Sequence, residues 1–491
     1  MKLMKFFVFL AAASMVMTGC GNDDKNSGIE FEGKGFNVSK TAITVGSEGG
    51  EQTLSVGSPV QPSVTTGNSW IKVASVEKTG SQGNIYTVTL TIDENTSTES
   101  REGAVDVKSG SEVKNVTVTQ AGAEPEPVVP VTPDPASEVT GKTAKELAAD
   151  MWAGINIGNT MECPGQEGAW SMVVNQTYVA GLAELGFKAV RIPCAWDTHA
   201  TDGVIDPAWL ARVDEVVGWV IDNGMYAMIN THWDGGWIEN DTKNGYSEAI
   251  NKKFASYWKQ IAEQLNHYDQ RLLFSALNEP NVDDANQNKS IDAIMKYEQT
   301  MVDVVRATGG NNMDRVLVMS VPNTNIDLGT AGYFKMPTDV VENRMMAEAH
   351  FYDTYQFNMM EEDANWGKTH WYWGQANFVA GSDRNSPHTE ADVKAQMQKM
   401  KRAFVDKGYP VVLGEYCVCA DRSNYKDIDV AKHQASQRDW NEVVTREAKN
   451  AGCVPFFWET GNDIYRHDGS VKRTYQLEGV KKGAESGTYP F

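Results

Sequence analysis

Basic side chains, cysteine and long apolar runs are all scarce in this 491-residue chain. Forty-four Lys and Arg against 65 Asp and Glu leave a net charge of −21. A surface of that sign repels phosphate backbones and anionic headgroups, so no nucleic-acid partner is expected, and neutral or cationic ligands remain. Six cysteines are too few to staple a disulfide scaffold of this length. Past the first twenty residues, no stretch is apolar for long enough to cross a bilayer as a helix. Apolar residues, by contrast, make up 41%, and 14 Trp, 17 Tyr and 16 Phe are enough to fill a large core, which excludes a disordered chain. At about 150 residues per domain, the length fits about three domains, or two with one of them large.

The first twenty residues have the three parts of an export signal. Lys2 and Lys5 supply the positive end, and Phe6 to Met17 is apolar apart from Ser14. Thr18-Gly19-Cys20 supplies a small-residue cleavage site. The stretch resembles a bacterial lipoprotein signal over residues 1–19, with Cys20 acylated as the first mature residue. Asn22-Asp23-Asp24 resembles the surface-export tag of Bacteroides-type lipoproteins. The resemblance implies an exported outer-membrane lipoprotein that faces outward from the cell surface. With Cys20 lipidated, five cysteines remain, so at least one thiol stays free or pairs with another molecule. Cys417-Val418-Cys419 lacks the second pair that a metal site needs and reads as buried or loop thiols.

Residues 28–122 alternate polar and apolar positions in short runs such as Tyr86-Thr87-Val88-Thr89-Leu90-Thr91-Ile92, separated by turn residues such as Gly49-Gly50. That pattern predicts a small all-β sandwich. Residues 123–137 hold five prolines and form an extended, stiff linker. From 138 to 491 apolar strands alternate with amphipathic helices, one of them capped by Asp206 with Pro207 in its first turn and Gly224 at its end. Eight strands are predicted, at 153–158, 189–193, 226–230, 272–277, 316–320, 345–350, 410–415 and 454–458. Eight β–α units in about 350 residues point to a (β/α)8 TIM barrel, with a doubly wound open sheet as the competing arrangement.

In such a barrel, chemistry collects at the C-terminal ends of the strands. Those ends carry Asn159, Arg191, His232, Asn278-Glu279, His350 with Tyr352, Glu415 and Trp458. Singly each has an ordinary reading as a turn, an ion-pair partner or a hydrogen-bonded core group; a rim with two carboxylates, two imidazoles and a guanidinium does not. Glu279 follows the fourth strand and Glu415 ends the seventh, which places them across the barrel mouth from each other. Carboxylates about 5 Å apart suit glycosidic cleavage with retention, one as acid and then base, the other as nucleophile.

Gly154-Ile155-Asn156-Ile157-Gly158-Asn159-Thr160, Val190-Arg191-Ile192-Pro193, Leu277-Asn278-Glu279-Pro280, His350-Phe351-Tyr352 and Leu413-Gly414-Glu415-Tyr416 occur in the order and spacing of glycoside hydrolase family 5. Residues 138–491 most resemble its subfamily 4 of endo-β-1,4-glucanases, which act on cellulose, xyloglucan or mixed-linkage glucan; mannan is a further substrate of the wider family. The resemblance makes Glu279 the acid/base and Glu415 the nucleophile. It places Asn278 on the sugar 2-hydroxyl, Arg191 and Tyr352 on Glu415, His232 and His350 along the cleaving subsite, and Trp458 beneath it. Asn159 and Trp237 join the substrate-binding set. Many members carry two successive histidines where this chain reads Thr231-His232-Trp233-Asp234. No cofactor and no metal is expected, and the partner is a β-glucan bound by a monomer. Residues 28–122 resemble the Bacteroidetes-associated (BACON) domain that precedes many carbohydrate-active enzymes. With only Phe31, Phe36, Trp70 and Tyr86 as aromatics, and Trp70 reading as core, that domain is expected to be a spacer lifting the enzyme off the membrane.

Thirteen of the 14 Trp lie after residue 138. Trp196, Trp233, Trp237, Trp366, Trp371 and Trp373 fall in predicted loops and read as platforms for pyranose faces, whereas Trp209 and Trp219 read as core. Two other functions compete with glycoside cleavage. A metal-dependent hydrolase using His232, Asp234 and His350 lacks the His-x-His spacing usual at a strand end. A non-catalytic glycan-binding lipoprotein has no need of an intact carboxylate pair.

Overall fold

The computed structural model describes residues 35–79, 84–97, 100–123 and 141–491. The export signal, Cys20, residues 28–34 with Phe31, and the linker from 124 onward lie outside the described residues. The chain divides into two compact units, Met1–Pro125 and Glu126–Phe491.

In the first unit two four-stranded sheets face each other. One orders its strands 37–38, 50–57, 85–92, 71–78, and the other 42–45, 112–120, 101–109, 63–66. All neighbours are antiparallel except Ala42–Val45, which runs parallel to the end of the 112–120 strand. The period-two pattern accounts for the core: Tyr86, Val88, Leu90 and Ile92 are buried, and they meet Val105, Val107, Val116 and Val118 from the opposite sheet. Trp70 is half-buried at the edge of this core with the Arg101 guanidinium 4.5 Å over its ring.

In the second unit eight parallel strands close a barrel: β1 (Gly154–Asn156), β2 (Ala189–Ile192), β3 (Tyr226–Asn230), β4 (Leu272–Ser275), β5 (Leu317–Asn325), β6 (Met345–His350), β7 (Val411–Tyr416) and β8 (Cys453–Phe457). β8 returns to β1 through the pairs Phe456↔Gly154 and Phe457↔Ile155, which excludes an open sheet. Gly154 is required there, because a Cβ would come within 2.3 Å of the Phe456 ring. Alternation divides each strand between two cores. Val190, Ile229, Phe274, Ala347 and Leu413 face the surrounding helices. Ala189, Met228, Leu273, Met346, Val412 and Phe456 fill the barrel floor, where the helix Ala144–Asp150 packs Ala144, Leu147 and Ala148 against them. That helix starts with a Thr143–Glu146 capping box. The predicted Asp206 cap is present, its carboxylate accepting the Ala208 N–H at the head of Pro207–Asp222. With the floor sealed by apolar groups, polar inward positions are confined to the C-terminal half of the barrel.

Candidate active site

On β6 the inward positions Met346, Glu348 and His350 rise from floor to mouth, so one strand face changes from thioether to carboxylate to imidazole. On β7, strict alternation would turn Val412 and Gly414 inward and Glu415 outward. The structure departs from it. Ala349 pairs with Leu413 but His350 pairs with Glu415, and the register against β8 shifts over the same residues. The extra residue is a bulge at Gly414, and it re-aims Glu415 into the barrel while Tyr416 packs outward. Asn156 of β1 braces the bulge by donating from Nδ2 to the Gly414 carbonyl at 2.8 Å. Gly414 itself faces Glu348, whose Oε1 would lie 2.1 Å from any Cβ.

Arg191, fully buried on β2, organises the centre. Its Nη1 donates to Glu415 Oε1 at 2.9 Å and to Asn156 Oδ1 at 3.1 Å, and Nη2 donates to Asn278 Oδ1 at 2.8 Å. Its Nε forms an ion pair with Glu348 Oε1 at 3.0 Å. Tyr352 donates its hydroxyl to the other Glu415 oxygen at 2.9 Å. Burial pushes the Glu415 carboxyl up, against the pull of His350, Arg191 and Tyr352. With a guanidinium on one oxygen and a phenol on the other, Glu415 is aimed at the mouth as an anion.

Glu279 leaves β4 with φ +46°, a left-handed conformation uncommon for a non-glycine residue and of the kind that clusters at functional sites. Its side chain is 51% exposed, in contrast to Glu415 at 7%. His350 Nδ1 lies 3.0 Å from Glu279 Oε1 and 3.6 Å from Glu415 Oε2. One oxygen of each carboxylate and one imidazole nitrogen fall within 4.8 Å of one another. Burial would raise the Glu279 carboxyl, but the hydrogen bond and charge of His350 outweigh it and hold it below its ordinary value. Three oxygen and nitrogen donors at that spacing have the outline of a metal site. Here the Arg191 guanidinium already occupies Glu415 and opposes a second cation, so the set does not suit a metal.

The remaining predicted residues are distributed unevenly. His232 is buried, takes a hydrogen bond between its Nδ1 and Asn230 Nδ2 at 3.1 Å, and stacks on Trp458 with centroids 5.9 Å apart and planes 6° from parallel. Burial, then the Arg191 and His350 charges, hold its imidazole well below the ordinary value, so it is neutral. Asn159 sits in the loop after β1 at φ +60°, its N–H bonded to the Glu162 carboxylate. Trp237 packs on Phe254 and Tyr257 of the helix Glu248–Gln264, with the Lys253 ammonium 4.5 Å over its ring. Those contacts brace Trp237 against the helix layer. Trp233 stands where a second successive histidine would fall, and Asp234 beyond it ties two loops together by accepting the N–H groups of Trp196 at 2.8 Å and Thr198 at 3.0 Å.

Two expectations need correction. Trp196 and Trp373 are buried rather than rim platforms, because their loops fold inward; the Trp196 indole donates to the Asn230 carbonyl at 2.9 Å. Exposed aromatics do remain after the strands: Trp233 and Trp366, joined by Trp170 and Tyr355, which the sequence pattern does not single out. Cys417 and Cys419, just after β7, form a disulfide instead of remaining thiols, their Cα atoms 5.5 Å apart and within bridging reach. Cys163, Cys194 and Cys453 are buried thiols. Asn156 and Glu348 are the site residues that sequence reasoning missed. The available signal was Glu348-x-His350, two titratable groups on one face of a strand that must point into a barrel.

Residues 154–464 match the family model described as cellulase (glycosyl hydrolase family 5), and residues 60–121 match that of a putative N-terminal binding domain, BACON. The chain is 31% identical over 476 residues to the xyloglucan-specific endo-beta-1,4-glucanase BoGH5A of Bacteroides ovatus, covering 93% of this chain and 91% of that protein. It is 30% identical to endoglucanase A of Paenibacillus barcinonensis, over 66% of this chain and 84% of that one. Among solved structures, the Bacteroides ovatus GH5 xyloglucanase in complex with a XXXG heptasaccharide superposes with a TM-score of 0.66 at 29% identity, covering 92% of this chain and all of that one. The GH5 xyloglucan-specific β-1,4-glucanase XEG5B from a ruminal metagenomic library superposes at 0.65 with 34% identity, over 71% of this chain and 98% of its own. A closed barrel with this mouth and these matches makes the chain a glycoside hydrolase, and it belongs to the cellulase family, glycosyl hydrolase family 5.

Proposed function

We propose that this enzyme is a retaining endo-β-1,4-glucanase that acts by double displacement and takes xyloglucan as its preferred backbone. The observation that supports the mechanism is the pair Glu279 and Glu415, with oxygens within 4.8 Å of each other. That spacing leaves no room for a water between carboxylate and sugar, and suits direct attack. Glu415, fixed by Arg191 and Tyr352, attacks the anomeric carbon. Glu279, half-open to the cleft, protonates the departing oxygen and then deprotonates the incoming water. Asn278, held by Arg191, meets the sugar 2-hydroxyl, where contacts strengthen at the transition state. Trp458, backed by His232, offers an aromatic face to the sugar ring in the cleaving subsite.

The preference for xyloglucan rests on likeness along nearly the whole chain to an enzyme named for that substrate. Incubation with purified xyloglucan, cellulose, mixed-linkage β-glucan and mannan, with products resolved by chromatography, tests it. Xyloglucan should disappear fastest and give oligosaccharides of several lengths early in the reaction. Faster release from mannan, or a single small product from the outset, would contradict the proposal.

The amino-terminal part is assigned a mechanical role. Cys20 is proposed as the lipid anchor of an outward-facing outer-membrane lipoprotein, with the sandwich as spacer and the enzyme acting as a monomer. That XEG5B matches 71% of this chain and 98% of its own length supports a barrel that is complete without the amino-terminal part. Removal of residues 1–140 should therefore leave kcat/KM on soluble xyloglucan oligosaccharides within about twofold and release the enzyme from the membrane fraction. A tenfold loss on these soluble substrates would assign the sandwich a part in binding.

A further inference from the structure

His350 has a carboxylate on each side of its ring. Nε2 lies 3.4 Å from Glu348 Oε1, and Nδ1 lies 3.0 Å from Glu279 Oε1. Glu348 is fully buried; its Oε2 accepts the Ser275 hydroxyl and its Oε1 pairs with the Arg191 guanidinium at 3.0 Å, a setting that favours the ionised carboxylate. An imidazole nitrogen facing that anion must carry a hydrogen. The tautomer is thereby fixed as Nε2–H, and Nδ1 is left as the nitrogen that shares a proton with Glu279.

On this basis, and resting on the acid/base role assigned to Glu279 above, we propose that Glu348 is a positioning residue that makes His350 the store of the proton Glu279 delivers. In the resting enzyme Nδ1–H is intact and Glu279 is a carboxylate. A bound sugar covers Glu279, which is half-exposed without it, and removes its water. Desolvation favours the neutral carboxyl, and the Nδ1 proton passes to Glu279. As Glu415 bonds to the anomeric carbon, the electron pair of the broken C–O bond stays on the departing oxygen, which takes the proton from Glu279. Neutral His350 and a Glu279 carboxylate remain. In the second step water adds to the anomeric carbon and Glu415 leaves with its electron pair. The water's proton returns through Glu279 to Nδ1, so protons balance over a turnover.

The groups facing His350 agree with this. Glu415 from β7, Glu279 after β4 and Glu348 on its own strand are anionic; Arg191 from β2 is the opposing cation, and His232 and Tyr352 are neutral. Burial alone would lower the imidazole, but the carboxylates, Glu415 foremost, raise it to about 9. Room for the buried Glu348 carboxylate is also built in, since a Cβ at Gly414 would fall 2.1 Å from its Oε1.

Nitrogen-15 NMR of the full chain tests the assignment, with the His350 signal identified by its loss in His350→Gln. A doubly protonated ring at pH 7 that loses its proton near pH 9 is the expected result. In folded Glu348→Gln, where the amide oxygen still accepts from Nε2 but the charge is gone, that loss should move down by about one to three units. The alkaline limb of kcat/KM should move with it. A neutral His350 ring at pH 7 in the wild-type enzyme would overturn the proposal without any variant, as would an unmoved alkaline limb in folded Glu348→Gln. Failure of the acid/base reading would look different: Glu279→Gln would lose as much on an aryl β-glycoside as on xyloglucan, whatever the imidazole signal.

Discussion

Replacing Glu415 by Gln should lower kcat on xyloglucan by about 10,000-fold, roughly 5.4 kcal/mol of barrier at 1.36 kcal/mol per decade. The amide nearly preserves the shape, and the Arg191 and Tyr352 contacts can still fall on its oxygen, so the protein should remain folded. What is lost is the anion that bonds to carbon. Glu279→Gln should behave differently in kind. General acid assistance contributes about 100- to 10,000-fold when the leaving group is a sugar hydroxyl. An aryl β-glycoside, whose phenolate departs without a proton, should recover most of the first step in Glu279→Gln and none of it in Glu415→Gln. Steady-state rates on the two substrate types read both results. Equal losses on both substrates in both variants would remove the distinction between acid and nucleophile.

The second large effect is expected at Arg191. Its guanidinium holds Glu348 and Glu415 at 3.0 and 2.9 Å with no exposed surface. Removing one partner of a buried ion pair leaves an uncompensated charge and costs about 3–5 kcal/mol. Arg191→Met should therefore lower the melting temperature by several degrees and nearly abolish turnover. The sign of the pH effect follows from the charge. Without the cation, protonated Glu415 is favoured, so the acidic limb of the residual kcat/KM should move to higher pH. Arg191→Lys keeps a charge but not the planar fork that reaches Glu415, Asn156, Asn278 and Glu348 at once; it should recover stability more than activity. Calorimetry and pH–rate profiles of the pair test this, and an unshifted acidic limb in both would show that Arg191 does not control Glu415.

Much of this centre is legible from sequence because barrels obey two rules: strands read as short apolar runs, and function gathers where they end. All eight predicted strands overlap the observed ones, and Arg191, Asn278, Glu279, His350, Tyr352 and Glu415 come together as the strand ends imply. What alternation alone does not show is the bulge at Gly414. A strict period of two from Val412 would point Glu415 at the helices, and only the extra residue, tied by Asn156, returns it to the cleft. Glu348 is hidden for a related reason. It lies inside an apolar strand, one step below the mouth, where a charge makes sense only once Arg191 and His350 are seen around it. Loop tryptophans are harder to place, because loop membership does not decide burial. Trp196 and Trp373 fold under their loops, while Trp233 and Trp366 stay on the surface.

The central claim is that a β4 acid and a β7 nucleophile share one glycosidic bond. It is tested most directly by following the anomeric proton of the first sugars released from xyloglucan by NMR, before mutarotation. Initial formation of the β-anomer, the configuration of the bond that was cut, is the predicted result. Initial formation of the α-anomer would mean a single displacement by water and would contradict the roles of Glu279 as acid/base and Glu415 as nucleophile.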